Sequence, residues 1–281
     1  MAKKQDLVLA AAGGYSWEQM DVWALSLAKS GFTGLGAVIV YEDEKTSEAT
    51  ERATENLKQV GFQVVRMPLR GTVFNQRFYD FWEVMHPLVD ELRYAVVTDI
   101  RDVYFQTNPM DWLKANLKKS LYACSEGMLY KDESWGRDNV TKGYPLLADR
   151  VMNKTIYNVG VLAGEAKAVA DMCLAIGMTA RSSSFAVADQ SGYNILLDMV
   201  PYQKAVQFGL SNDGFALQAG TFADPTKIEG FRPNLLEAEP MFDEEGAKTA
   251  DGKLYPIVHQ YDRVPEWNKA LRATLNAKLR G

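Results

Sequence analysis

The sequence is poor in several residue types, and each scarcity argues against a class of protein. Among 281 residues there are two cysteines and two histidines, so neither a disulfide-rich fold nor a cysteine-rich zinc site is expected. Cys124 and Cys173 lie in apolar segments, so we expect reduced core thiols and a cytoplasmic location. Basic residues number 31 against 36 acidic ones, which argues against nucleic acid bound through a broad basic surface.

Long apolar runs are also missing. No segment approaches the roughly 20 apolar residues of a membrane-spanning helix, so no transmembrane segment is expected. The content of 47% hydrophobic and 24% charged residues is ordinary for a globular protein, and the chain is long enough to bury a sizeable core. One domain over residues 1–281 is therefore expected.

Strand and helix patterns alternate through the first hundred residues. Strands are predicted at 7–12, 35–41 and 62–67, helices at 17–29, 47–60 and 74–89, and a fourth strand ends at Asp99. This alternation predicts an α/β fold whose doubly wound sheet is parallel in this part. Beyond it we expect a loop or a small subdomain at about 125–150, a short strand at 158–164 and helices at 166–178 and 188–199. Long loops with short strands are expected at 210–256, and a closing helix at 265–279.

The most informative segment is an apolar run that ends in two carboxylates, Tyr94-Ala-Val-Val-Thr-Asp99-Ile-Arg-Asp102. In open α/β sheets, ligands bind beyond the carboxyl ends of the strands. Hard oxygen ligands of this kind suit Mg²⁺ or Mn²⁺ carrying a diphosphate. In the simpler interpretation, Asp99 caps a turn and Asp102 pairs with Arg101 or another surface base.

The two histidines have different settings. His259 ends a second apolar run and could complete a metal site begun by Asp102, although a lone histidine is more often not a ligand. His86 precedes a proline at a predicted helix end and is expected to be structural.

Further polar residues lie where a ligand could reach them. Arg77, near a helix start, could contact a phosphate or a base, although a solvated arginine is the simpler interpretation. Asn158 precedes a glycine, which marks either a close approach or a turn. Asp189 and Gln190 begin a helical pattern that includes Asn194; they could hydrogen-bond a sugar, or serve as a helix cap with an internal amide pair.

In their order along the chain, these segments resemble a known family. The segments are Gly14-Tyr15, Arg77-Phe, Thr98-Asp-Ile-Arg-Asp-Val-Tyr-Phe-Gln106, Asn158-Val-Gly-Val, Asp189-Gln-x-x-x-Asn194 and Val258-His-Gln-Tyr-Asp-Arg263. They are similar to a group of GT-A glycosyltransferases that carry Asp-x-Arg-Asp in place of the usual Asp-x-Asp motif. The order also resembles glycosyltransferase family 8.

The resemblance implies a single GT-A domain with a Rossmann-like, doubly wound mixed sheet flanked by helices. Its nucleotide-binding half would cover about 1–110, its acceptor-binding half about 111–264, and its closing helix about 265–281. It also implies a metal-dependent transferase that uses a nucleotide sugar, with a UDP-sugar as the first choice of donor, and a glycan, a lipid-linked glycan or another small molecule as acceptor.

The resemblance also assigns roles to individual residues. Asp99, Asp102 and His259 would hold Mn²⁺ or Mg²⁺, with Asp99 also able to contact the ribose. Asp189 and Gln190 would face the donor sugar at the catalytic centre, in a reaction with retention. The nucleotide and substrate would be bound by Gly14, Tyr15, Arg77, Arg101, Asn158, Asn194 and Arg263.

The sequence departs from these patterns at two points. The two aspartates are one residue further apart than in Asp-x-Asp, so either could be the direct ligand. The Gly-x-Lys-Pro segment of family 8 is missing after His259, which leaves Arg263 as a substitute for its lysine. An inverting reaction would need a carboxylate base, for which Glu126 or Asp213 could serve.

Other functions compete with this one. A nucleotide-sugar-binding protein with little or no catalysis would keep the same ligands. A phosphatase of the haloacid-dehalogenase type also has aspartates after a strand, but two residues apart. The closing helix could rest on a membrane surface, although packing against the domain is the simpler expectation. Four aromatic residues could stack on an acceptor sugar: Trp135, Tyr144, Phe215 and Phe231.

Overall fold

The computed structural model describes residues 4–42 and 48–280, and its first part alternates strands and helices as predicted. The predicted helix start at residue 47 lies outside the described residues. The third helix ends at Met85, earlier than predicted, and one turn of 3₁₀ helix follows at His86–Leu88. The elements are β1 (Gln5–Gly13), α1 (Trp17–Lys29), β2 (Leu35–Glu42), α2 (Glu48–Val60), β3 (Gln63–Pro68), α3 (Val73–Met85) and β4 (Leu92–Thr98).

The second part has shorter elements. They are β5 (Val103–Phe105), α4 (Pro109–Asn116), β6 (Leu121–Leu129), α5 (Ser134–Gly143), α6 (Ala148–Val151), β7 (Thr155–Glu165), α7 (Ala166–Arg181), α8 (Asp189–Leu197), α9 (Val200–Ala205), β8 (Val206–Gly209), β9 (Ala216–Gln218), α10 (Ala219–Phe222), α11 (Ile228–Phe231), β10 (Met241–Asp243), β11 (Gly246–Lys248), β12 (Ile257–His259) and α12 (Pro265–Arg280).

Of the two alternatives for about 125–150, the loop is wrong, because the segment forms regular elements. Strand β6 continues to Leu129, and α5 and α6 occupy most of the remainder. The strand lies inside the sheet, between β7 and β8. Its small and polar residues are therefore buried by their position in the sheet, although they are not hydrophobic. The short strand predicted at 158–164 is part of the longer β7.

Seven strands of the described chain form one mixed sheet, in the order β3-β2-β1-β4-β7-β6-β8. The first four are parallel, as predicted, whereas β7 runs antiparallel to both β4 and β6. The predicted doubly wound mixed sheet is therefore confirmed. The reversed β7 brings its middle residues to the carboxyl end of β4, with Val161 opposite Thr98.

Both faces of the sheet are covered. Because side chains alternate along a strand, Leu7 and Leu9 of β1 pack on the face that α3 and α7 cover, while Val8 and Ala10 pack with Trp23 of α1 on the other. The Trp23 indole donates a hydrogen bond of 2.8 Å to the Thr98 hydroxyl and so ties α1 to the end of β4.

A second sheet of three strands, β5-β12-β9, lies beyond the end of β4. In it β12 is antiparallel to β5 and parallel to β9, so that His259 is in register with both Val103 and Gln218. This register brings a histidine from late in the chain next to the segment that follows Asp102.

The last helix, α12, packs against the domain. Leu271 and Leu275 are each 3% exposed, and Trp267 stacks on Phe242 with ring centroids 4.7 Å apart. Within residues 4–42 and 48–280, no helix combines the length and the apolar character that a membrane span requires.

Candidate metal and sugar-nucleotide site

Asp99 and Asp102 lie on the short connection between β4 and β5. The backbone N–H of Asp99 donates to the Gly160 carbonyl at 2.8 Å, and the Asp102 carbonyl accepts from the Gln260 N–H at 2.6 Å. The connection is therefore held from both sides, by β7 and by the residue after β12. Gln260 has a positive φ of 59°, a conformation that costs energy in a non-glycine residue.

His259 faces both aspartates. Its Nε2 is 3.4 Å from Asp99 Oδ2 and 3.6 Å from Asp102 Oδ1. One ligand atom from each of the three residues lies within 4.8 Å of the others. The structure thus brings together the three predicted metal ligands, from chain segments more than 150 residues apart.

The orientation of the His259 ring is fixed by Gln218, which the sequence did not single out. His259 Nδ1 is 2.7 Å from Gln218 Oε1; since an amide oxygen can only accept, Nδ1 carries the proton. Nε2 is buried, and no other described residue hydrogen-bonds to it. An imidazole nitrogen left without a partner beside two carboxylates fits a divalent cation.

The electrostatics of the cluster also favour a cation. Burial lowers the pKa of His259, but Asp102 and Asp99 outweigh burial and raise it to about 10. Burial raises the pKa of Asp99, but Arg77 and His259 outweigh it and hold that pKa well below its usual range. The two carboxylates therefore stabilise a positive charge on the His259 ring, and a cation bound at Nε2 would take the place of that proton.

Arg77 is not a solvated arginine, contrary to the simpler interpretation. It is 6% exposed and forms ion pairs with Asp99 and, at 3.1 Å, with Asp189. Burial raises the pKa of Asp189, and the Arg77 charge opposes that rise. Arg77 therefore links the Asp99 carboxylate to the start of α8 through Nη1 and Nη2, while its buried Nε has no hydrogen-bond partner among the described residues.

Gln190, the second residue of α8, belongs to a buried polar cluster with Glu126. The Glu126 Oε1 accepts from the Asn158 amide at 2.7 Å and from the Gln190 amide at 3.0 Å. Burial raises the pKa of Glu126. The cluster joins β6, β7 and α8 close to Gly160, and hence close to Asp99.

The remaining predicted residues are spread around this centre. Tyr15 follows Gly14, whose φ is +68°. Burial is the main reason that the pKa of Tyr15 is raised, and the nearby charges of Arg101 and Asp99 also affect this pKa. Arg101 lies 3.7 Å from Asp102 and 3.8 Å from Asp262, and is 42% exposed. Arg101 thus pairs with Asp102, as the simpler interpretation of Asp102 as an ion-pair partner predicts.

Three predicted residues make other contacts. The Asn194 amide is bonded to both backbone groups of Tyr157 and to the Gln190 carbonyl. The half-exposed Arg263 lies 3.7 Å from Asp262. Asp213 accepts from the Leu210 N–H at 2.9 Å and from the Tyr122 hydroxyl at 3.2 Å, which assigns it a structural role.

Two of the aromatic residues suggested for sugar stacking are buried. Tyr144 is 9% and Phe215 0% exposed, whereas Trp135 is 51% exposed, and Phe231 is half-buried. The Trp112 ring packs on Phe215 in a tilted arrangement and the Tyr122 ring packs on it edge-on, so Phe215 belongs to the core. The other histidine, His86, lies against the Trp82 ring at 4.9 Å, consistent with the structural role expected for it.

Comparisons with known proteins agree with this architecture. No protein-family model matches the chain, and no curated protein sequence does. Among solved structures, the chain is similar to an active-site mutant of LgtC, a glycosyltransferase with the GT-A fold, in which a glutamine is replaced by a glutamate. The TM-score is 0.53 at 16% identity, over 90% of this chain and 86% of the other. The chain has the GT-A fold.

At this identity the likeness concerns the arrangement of the chain. It does not depend on shared local sequence, since five of every six compared positions differ. The GT-A fold places the end of β4, the segment before β5 and His259 at the carboxyl edge of the parallel strands. The three candidate ligands therefore lie at the edge where open α/β sheets bind their ligands.

Proposed function

We propose that the protein is a metal-dependent glycosyltransferase that uses a nucleotide-sugar donor, with a UDP-sugar as the first candidate. The observation that carries the proposal is the convergence of Asp99, Asp102 and His259 within 4.8 Å at the ligand-binding edge of a GT-A fold. Two carboxylates and an imidazole suit Mn²⁺ or Mg²⁺.

The bound cation would neutralise the diphosphate charge that grows as the glycosyl bond breaks. Asp102 and His259 would hold it, and Asp99 Oδ2 would complete the ligand set, while Asp99 Oδ1 stays on Arg77. The half-exposed Arg101, which lies 3.7 Å from Asp102 and 3.8 Å from Asp262, could turn from them toward a phosphate. Gly14, Tyr15 and Arg263 would line the nucleotide, within a nucleotide-binding half of about 1–110 and beside an acceptor half of about 111–264.

The donor sugar would lie toward α8. Arg77 holds the Asp189 carboxylate, and Glu126 holds the Gln190 amide, so both catalytic candidates are oriented before a substrate arrives. Asn158 and Asn194 then act mainly by holding this cluster. An active-site glutamine is also the residue altered in the LgtC mutant, which supports a catalytic role for Gln190. The proposed retention of configuration depends on the resemblance of the motif order to family 8. Glu126, which the sequence suggested only as a base for inversion, becomes a positioning residue.

The other two functions are less well supported. The GT-A fold and the spacing of the aspartates do not favour a haloacid-dehalogenase phosphatase. A binding protein without turnover would share the ligands, and the experiment below separates it from a transferase. The free, buried thiols of Cys124 and Cys173 support a reducing, cytoplasmic setting.

The test is donor hydrolysis with UDP-glucose, UDP-galactose and UDP-N-acetylglucosamine, with Mn²⁺ or with EDTA. We expect UDP release from at least one donor with Mn²⁺ only, and a fall on the order of 100-fold in Asp102→Asn, because metal stabilisation is worth several kcal/mol. The exposed Asp111→Asn is the matched control. Turnover in EDTA, or full activity in Asp102→Asn, would overturn the proposal; donor binding without turnover would indicate a binding protein.

A further inference from the structure

A pocket of about 470 Å³ lies between the start of α5 and the segment that carries α11. Its volume is within the usual range of small-molecule sites. We propose that this pocket, named here the Trp135 pocket, binds a saccharide unit of the acceptor. This inference rests on the proposed function for the acceptor's role, whereas saccharide binding itself is testable alone.

The aromatic lining comes first. Trp135 is 51% exposed, and its ring stacks on no other aromatic ring in the described part of the chain. Phe231 lines the same pocket, although 96 residues separate the two in sequence. The flat, exposed ring of Trp135 offers the area on which the C–H face of a sugar ring can lie.

The polar lining selects a neutral, hydroxyl-rich ligand. Asp132, Arg137 and Lys227 line the pocket, and none of them forms an ion pair with another described residue. A sugar hydroxyl both donates and accepts hydrogen bonds, so it can use the carboxylate and the cations together. A phosphate or other anion could use only the two cations and would be repelled by Asp132 and the buried Glu133.

One wall of the pocket, at the start of α5, is connected to the end of β6, the strand that carries Glu126. Three residues after Glu126 the strand ends, and its chain continues through Tyr130 to Glu133. The Glu133 carboxylate accepts from the backbone N–H groups of Trp135 at 3.1 Å and Gly136 at 2.5 Å. This capping fixes where α5 begins, and therefore where Trp135 stands.

The other wall is attached at Gly127. Its φ is +67°, and a Cβ there would be 2.2 Å from the Phe222 ring, so the ring of α10 packs directly on the glycine. The Leu236 N–H donates to the Gly127 carbonyl at 2.8 Å. Both walls are thus anchored on β6 within a few residues of Glu126, which accepts a hydrogen bond from Gln190.

The test is saturation-transfer NMR with methyl glucoside, methyl galactoside, methyl N-acetylglucosaminide, maltose, cellobiose and lactose, without metal or nucleotide. We expect at least one of them to receive saturation on its ring protons from the wild-type protein. Its dissociation constant should rise at least tenfold in Trp135→Ala and stay within twofold in Trp135→Phe. Leu146→Ala, which removes a side chain that is 95% exposed, should leave it unchanged.

A second variant guards against a folding effect at α5. Lys227→Ala alters the opposite wall and should weaken the same saccharide several-fold while the thermal midpoint stays constant. No saccharide binding by the wild type, or equal binding by Trp135→Ala, would overturn the inference. Saccharide binding at Trp135 in a protein that binds no nucleotide with Mn²⁺ would overturn the acceptor role and the proposed function together, and leave the saccharide site standing.

Discussion

At the scale of single residues, the position of one imidazole decides whether the carboxylates form a cation site. His259 is 2% exposed, and its Nδ1 is engaged by Gln218, so Nε2 can face Asp99 and Asp102. A hydrogen bond of this kind fixes both the tautomer and the ring orientation of a histidine ligand. Gln218 is therefore a positioning residue for the proposed metal site.

Gln218→Leu tests this arrangement. The apolar side chain cannot accept the Nδ1–H bond, so we expect Mn²⁺ affinity, measured by calorimetry, to fall about 10–100-fold. Gln218→Glu keeps an accepting oxygen and should retain most of the affinity. In ¹⁵N NMR spectra recorded with saturating Mg²⁺, which would replace the proton on Nε2, the His259 signals should lose their Nδ1–H tautomer pattern in the leucine variant only.

Gln203→Leu is the matched control for this pair of variants, because Gln203 is exposed on α9. It should bind Mn²⁺ as the wild type does. Wild-type affinity in Gln218→Leu would show that His259 needs no such support.

The sequence identified the ligands but not their supports. Asp99, Asp102 and His259 could be picked out because each follows an apolar strand. Gln218 also ends a strand, but a single glutamine after Phe215-Ala-Leu carries no signal of what it will face. The burial of Arg77 was missed for a similar reason, since its partners Asp99 and Asp189 come from distant segments.

At the scale of elements, β7 controls how closely the three proposed metal ligands can pack. Gly160, in the middle of the strand, lies against the imidazole: a Cβ there would be 2.5 Å from His259 Cε1 and 2.9 Å from Nε2. Real atoms do not approach so closely, and both neighbours are buried. The glycine is therefore required where β7 passes the cluster.

Gly160→Ala should displace His259 and weaken Mn²⁺ binding by at least tenfold. We also expect a loss of about 1–3 kcal/mol in the free energy of unfolding, as overpacking usually causes, which leaves the variant folded. Gly71→Ala is the control, because no atom of residues 4–42 or 48–280 lies within 4 Å of a Cβ there. Calorimetry and urea denaturation give the two quantities, and unaltered metal binding in Gly160→Ala would contradict the geometry.

The apolar side of the closing helix α12 packs into the core of the domain and is not left exposed for contact with a membrane surface. Leu271→Ala should lower the free energy of unfolding by about 2–5 kcal/mol, the usual cost of emptying a buried leucine site. Leu279→Ala, at a position that is 40% exposed, should cost under about 1 kcal/mol. Equal losses in urea denaturation would show that the helix does not pack as described.

Strand β6 shows where pattern reading of single elements fails. Its sequence, Leu121-Tyr-Ala-Cys-Ser-Glu-Gly-Met-Leu129, contains no β-branched residue, so it lacks the preference that marks most strands. It is a strand because β7 and β8 pair with it on either side. By contrast, β1 and β2 are rich in apolar residues and were predicted nearly to their ends.

At the scale of the whole molecule, the order of strands explains why the site forms. The alternation of the first hundred residues was enough to predict parallel strands and a site at their carboxyl edge. The reversal of β7 and the second sheet depend on pairings between residues far apart, such as Val161 with Thr98 and His259 with Val103. No local pattern encodes such pairings, although they place the residues that complete the cluster.

The central claim is that Asp99, Asp102 and His259 hold a cation that binds a nucleoside diphosphate. Its most direct test is calorimetric titration of UDP, GDP, ADP and CDP, with Mn²⁺ or EDTA, into the wild type, Asp102→Asn and the control Asp111→Asn. We predict that at least one nucleotide binds the wild type and the control at least tenfold more tightly with Mn²⁺, and that Asp102→Asn abolishes this gain. Equal affinity with and without Mn²⁺, or an undiminished gain in Asp102→Asn, would contradict the claim.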